Sequence, residues 1–357
     1  MYIYVLIFVF LQITSFLNLY IKKEKIKYIY VLLSIFLVVF TGTRYELGGT
    51  DYFLYKIYFN NMPDILNIKK YNFFLEYEIG YKYFNSFIKS FTDNYIWLFF
   101  FIAIITLTIL LYYNYKYCTY PFFTLTFYMY KTFFYTNFVA MRQSIAIAIF
   151  IFSIKYIING SFKKYFILVL LATLFHSSAI VLVFLYFLRY VNLRKMKFIN
   201  IILIGIFIMI FSMPIIKLIG LIIGLIGGTE TVLNKINSIH GSLGINLHVI
   251  EMIVLYIVFA KNYKITSEKE KIWFNLFVTY CILIISFSSQ VIFIRIAMYF
   301  YFPIMIFISS SLEKIKNSKY KILLVYIFTI IFFIGYVKYL KQFDSGGLIP
   351  YKSILIK

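Results

Sequence analysis

Apolar residues run along this chain in long, nearly unbroken blocks, not at the two-residue spacing of a half-buried strand or the 3.6-residue spacing of a surface helix. Tyr2 to Ile21, Tyr95 to Tyr113 and Ile322 to Tyr339 each approach the ~20 residues that carry a helix across a bilayer core. Further blocks cover Tyr28 to Gly42, Phe122 to Phe138, Val139 to Ile158, Phe198 to Ile226, Leu247 to Ala260, Ile272 to Ser288 and Ile296 to Ser310. The expected fold is all-α: a polytopic integral membrane protein with about 11–12 transmembrane helices, forming a single transmembrane domain over residues 1–357.

Composition strengthens that reading. The chain is 63% hydrophobic and 13% charged, whereas a soluble domain is about half apolar and about a quarter charged. No Lys or Arg precedes the first block, and it ends at Lys22 and Lys23 without a small-residue cleavage pattern, so it is expected to stay as an anchor. Cys118 and Cys281 lie far apart in or beside apolar runs, which supports neither a disulfide framework nor a thiolate metal site.

The net charge of +22 sits mostly in short clusters between spans. The positive-inside rule accounts for such clusters, so they do not call for nucleic acid. Lys22 to Lys27, Phe162 to Lys164, Arg189 to Lys197, Lys261 to Lys271 and Glu313 to Lys321 are expected to face the cytoplasm. The segment at about 43–94 differs, because six basic residues are balanced there by Glu46, Asp51, Asp64, Glu76, Glu78 and Asp93. It is expected outside, with Phe73 to Phe91 patterned as an interfacial helix.

Alternation fails once. The basic stretches near Lys163 and Arg189 are joined by a single apolar run, Tyr165 to Leu188, interrupted by His176-Ser177-Ser178. A hairpin turning at that polar point returns both ends to the cytoplasm; one straight span with a parity change elsewhere is the alternative. Halves of ~12 residues reach only ~18 Å, so the tip suits a polar cavity inside the ~30 Å core.

Arginine is scarce, five residues against 30 Lys, yet Arg44, Arg142 and Arg295 fall on the expected outer side, where cations are disfavoured. A planar guanidinium grips phosphate or carboxylate bidentately, which suits a lipid-linked phosphate; snorkelling to headgroups is the plain alternative. Beside Arg44, Glu46 and Asp51 flank Gly48-Gly49, and either carboxylate would serve as general base toward a sugar hydroxyl. His176 has no spaced partner for a metal and is read either as a hydrogen-bonding group or as a proton-transfer group. Glu251 lies one turn inside its span with His248 on the same face. Glu76 and Glu78, two apart, are expected to diverge. No Asp-x-Asp pair, Walker loop, GxGxxG or HExxH pattern occurs, so neither a nucleotide, a metal nor any other cofactor is called for.

Three stretches in order resemble the EpsG family of Wzy-like polysaccharide polymerases. They are Arg44 to Tyr55 with Gly49 and Asp51, Arg142-Gln143-Ser144-Ile145-Ala146, and Phe175-His176-Ser177-Ser178-Ala179. Arg295 with Tyr299 and Tyr301, and Ile349-Pro350-Tyr351, fit as well. The resemblance implies a membrane-embedded C-type glycosyltransferase architecture in the bacterial cytoplasmic membrane. It also implies polymerisation of lipid-linked repeat units into exopolysaccharide, capsule or O-antigen at the outer face, from undecaprenyl-pyrophosphate carriers and without a metal. Membrane lipid, a flippase and a chain-length regulator would be its partners. On that reading Asp51, then Glu46, would be the base, His176 would orient substrate, and Arg44, Arg142 and Arg295 would hold the pyrophosphate. A lipid-glycan flippase or transporter and a membrane acyltransferase are the competing classes; the absence of two related halves disfavours the first, an external His176 the second.

Overall fold

The computed structural model describes residues 1–68, 77–225, 247–287, 295–343 and 347–355, without the side chains of 212–225. Among them helices dominate, and six are long and apolar enough to cross a membrane: α1 (Tyr2–Tyr20), α5 (Ile96–Tyr117), α7 (Met141–Ile158), α11 (Glu268–Phe287), α12 (Arg295–Lys314) and α13 (Ser318–Gln342). The protein is thus an all-α polytopic membrane protein. The higher number of crossings expected from the sequence draws also on shorter apolar helices, among them α2 (Lys27–Gly42) and the 3-10 helix Ser177–Tyr190.

Backbone contacts divide the chain into two units, Met1–Tyr186 with Ile308–Lys357, and Phe187–Phe307. In the first, α1 packs on α13 and on α6 (Pro121–Lys131), α2 packs on α5, and α5 on α7. With no water in a bilayer core, each buried polar group needs a protein partner. Asn114 on α5 illustrates this: its Nδ2 donates to the Tyr30 hydroxyl and to the Pro121 carbonyl, both at 2.9 Å, and its Oδ1 accepts from Thr124 at 2.7 Å. Pro121 opens α6 at a position whose amide would have no helical acceptor.

The Tyr165 to Leu188 run is a hairpin. Helix α8 (Phe162–Thr173) ends, the chain turns through Leu174 to His176, and the 3-10 helix returns alongside it. The Phe162 and Tyr186 rings lie 5.0 Å apart, and the Tyr165 hydroxyl donates to the Leu182 carbonyl. Residues near the two ends of the run therefore touch, which a straight span forbids.

Between α2 and α5 the chain forms α3 (Gly49–Asn61) and α4 (Ile79–Lys89). Helix α4 is amphipathic, burying Tyr81, Asn85, Ser86 and Ile88 while exposing Ile79, Tyr83 and Phe87. The part of the expected interfacial helix at 73–76, including Glu76, lies outside the described residues.

The second unit holds α9 (Phe198–Leu225), α10 (Leu247–Leu255) and α11. Asn275 on α11 ties in the 188–193 segment, donating to the carbonyls of Leu188 and Val191 and accepting from the amide of Leu193. Glu251 lies 4.0 Å from His248, one turn away.

Candidate functional site

Three separate stretches of the first unit meet at Glu78. A π-turn over Tyr135–Val139 breaks the helix that follows α6, and α7 restarts at Met141, so Arg142 falls in the first turn of a span. Helix N-termini disfavour cations, and the position is compensated by a carboxylate: Arg142 Nη1 is ion-paired with Glu78 Oε2. The other oxygen, Oε1, accepts the backbone amide of Ser177 at 3.2 Å. One carboxylate thus joins the start of α4, the start of α7 and the hairpin tip.

The tip is held close. Gly80 donates its amide to the Leu174 carbonyl at 2.8 Å, and a Cβ at Gly80 would stand 2.7 Å from that oxygen. Phe84 and Phe175 pack edge to face 6.2 Å apart. His176 Nδ1 lies 2.7 Å from Ser178 Oγ.

Aromatic rings surround the ion pair. The Arg142 guanidinium lies over the Tyr77 ring, 4.2 Å from its centroid, and Tyr77 in turn packs on Tyr58 at 4.6 Å. Both charged side chains are about one-fifth exposed, 23% for Arg142 and 19% for Glu78. Arg142 Nε is buried with no hydrogen-bond partner among the described residues. Burial pushes the Tyr55 phenol up to about 12, with the nearby Arg142 cation opposing the rise. Tyr55 therefore stays a neutral hydroxyl at physiological pH. Burial raises Tyr77 as well, against the same cation. Asp51, half-buried in the first turn of α3, adds its negative charge near both phenols and raises them further.

Arg44 is placed otherwise than the sequence suggests. Expected to reach a pyrophosphate, it is fully buried. Nη1 donates to the Thr41 carbonyl at 2.8 Å, Nε to Leu47 at 3.2 Å, and Nη2 to Phe138 at 3.5 Å and to Met141 Sδ at 3.0 Å. The Phe99 and Phe138 rings flank it at 4.7 and 4.8 Å. Burial pulls its pKa down to about 10, so it remains a cation. Two of its acceptors, the Phe138 carbonyl on the π-turn and Met141 Sδ at the start of α7, immediately precede Arg142, and Gly48, at φ 125°, abuts the same Phe138 carbonyl where a Cβ would collide. The Arg44 turn thereby supports α7 at its start and offers no free donor fork.

Glu46 pairs with Lys352 at 3.6 Å and not with Arg44. Residues 43–45 form a short antiparallel pairing with 352–354: Tyr45 donates to Lys352 and Ile354 to Thr43, both at 3.0 Å, and the Tyr351 ring stacks on Phe40 at 4.2 Å. Arg295 is exposed at the first residue of α12, in the second unit.

Of the residues singled out from sequence, Arg142 and the His176 tip are thus brought together, with Asp51 electrostatically linked through Tyr55 and Tyr77. Glu78, Tyr55 and Tyr77 were not singled out as site residues. The available signal for Glu78 was its place among only thirteen acids, in the one acid-rich segment.

These features define an α-helical integral membrane protein with an arginine–carboxylate centre built where an amphipathic helix, a span and a hairpin tip converge. Arginine in such a setting is suited to a planar anion. The chain belongs to the EpsG family, whose model matches residues 27–353 and so takes in every element of this centre. Membership carries a polysaccharide polymerase-like, glycosyltransferase-like role in exopolysaccharide synthesis. No curated protein and no solved structure matches the chain.

Proposed function

We propose that this protein joins lipid-linked oligosaccharide repeat units into exopolysaccharide, capsule or O-antigen by glycosyl transfer at the outer face of the bacterial cytoplasmic membrane. The observation that supports it most is Arg142: a partly buried guanidinium, stacked on Tyr77, with Nε unsatisfied among the described residues, in a chain of the EpsG family. The donor is an undecaprenyl-pyrophosphate-linked glycan. An acceptor hydroxyl attacks the anomeric carbon, the bond from that carbon to the pyrophosphate oxygen breaks, and the lipid pyrophosphate departs with the electron pair. Arg142 stabilises the charge that develops on it. Asp51 accepts the hydroxyl proton, and His176, with Ser178, orients sugar or phosphate. Arg44 acts as a positioning residue. Glu46, tied to Lys352, is the weaker candidate for the base, and Arg295 is a second phosphate ligand.

Deletion of the gene followed by gel analysis of lipid-linked glycans tests the reaction class. Loss of a polymerase leaves single repeat units on the carrier. Absence of those units from the outer face would indicate a flippase, and altered decoration at unchanged length an acyltransferase; either result rejects the proposal.

A further inference from the structure

The Glu78 carboxylate sits in a seat made for an anion. One oxygen meets the Arg142 guanidinium and the other the Ser177 amide. The adjacent Tyr77 ring covers the guanidinium face, and Arg142 Nε still lacks a partner among the described residues. Charged guanidinium and a main-chain amide are the donors that also hold phosphoryl oxygens. A side chain that satisfies the cation in the resting protein excludes any ligand needing the same donors.

We infer that Glu78 is a resident placeholder anion: the diphosphate of the donor displaces it from Arg142 and from the Ser177 amide, so the hairpin tip becomes part of the diphosphate cradle. This rests on the proposed function, and it adds a main-chain donor and an exchangeable carboxylate to the site. The tip is also linked to α4 through Gly80 and Leu174 and through Phe84 and Phe175, so release of Glu78 loosens one of the ties between α4 and the tip. Binding and a small displacement of the tip are thereby coupled.

The test is titration of the purified full-length protein in detergent with inorganic pyrophosphate, followed by calorimetry. If Glu78 occupies the seat about nine-tenths of the time, removing its charge raises apparent affinity about tenfold. Glu78→Gln is therefore expected to bind pyrophosphate about tenfold more tightly, and Arg142→Lys to lose binding. Ser177→Pro removes the amide at the first position of a helix, where proline is tolerated, and is expected to weaken binding, whereas Ser177→Ala, which keeps the amide, is expected to leave it unchanged. Glu24→Gln, an equal change in net charge on the α1–α2 connection, is expected to leave affinity unchanged. Each variant is first checked for monodisperse elution and wild-type thermal stability, with Glu78→Asp replacing Glu78→Gln if the latter does not fold; the shorter carboxylate is expected to give a smaller tightening. Unchanged or weaker binding by a folded Glu78 variant overturns the inference while the anion role of Arg142 stands. If wild type does not bind and Glu78→Gln does not either, the reading of Arg142 itself fails.

Discussion

Arg44 commits Nε, Nη1 and Nη2 to three carbonyls and a thioether, whereas Arg142 pairs with the Glu78 carboxylate beside the Tyr55 hydroxyl and leaves Nε unpaired among the described residues. The same substitution should therefore read differently at the two. Arg142→Lys keeps a charge but loses the fork; protein level should hold while polymer synthesis in membranes supplied with lipid-linked repeat units falls about a hundredfold, a loss of ~3 kcal/mol. Arg44→Lys leaves buried acceptors without donors, at about 1–3 kcal/mol each, so its expected signature is reduced thermal stability and reduced membrane-inserted protein. Equal losses of activity at equal protein level would remove the distinction. Gly48→Ala should resemble Arg44→Lys, since an alanine at φ 125° is strained and its methyl would meet the Phe138 carbonyl. Sequence exposes a charge but not its acceptors. That is why Arg142 and Arg44 look alike on paper, and why Glu78, 64 residues from its partner, carries no local mark of its role.

Among elements, the hairpin is the one whose form was legible in advance and whose consequence was not. Basic residues at both ends of an apolar run, with His176-Ser177-Ser178 in its middle, pointed to a turn over the alternative of one straight span. What the tip would touch could not be read, because its partner Glu78 at the start of α4 lies 99 residues from Ser177 and no local pattern joins the two. The contact is narrow at Gly80, where a methyl would meet the Leu174 oxygen at 2.7 Å. Gly80→Ala should push α4 from the tip and lower polymer yield with less effect on overall stability than Gly48→Ala, as measured by polymer length on gels beside thermal melting. A cysteine at Ser177 tests the outward placement: it should react with an impermeant thiol reagent in intact cells, as should one at Asn60, while cysteines at Asn192 and Asn317 stay protected. Reaction at both Asn192 and Asn317 would invert the topology.

At the scale of the molecule, the long spans were visible as apolar blocks because a bilayer imposes length and composition together. The shorter helices were visible only as apolar stretches, and the division into two units was not visible, since no change of composition marks residue 186 or 308. The first unit is discontinuous: the turn at 43–45 pairs with residues 352–354, a separation of 310 positions between Thr43 and Ser353. During synthesis the Arg44 turn therefore emerges long before its backbone partner, and the spans between must be inserted while it waits. A chain stopped after Phe343 would contain all six long apolar helices of the described residues yet lack the segment that pairs with Thr43 and Tyr45. It should insert in the membrane but expose the 43–47 turn to external protease, with cleavage there absent from the full chain. Closure of the 43–45 turn thus reports that the intervening spans, up to the segment at 352, are already in place.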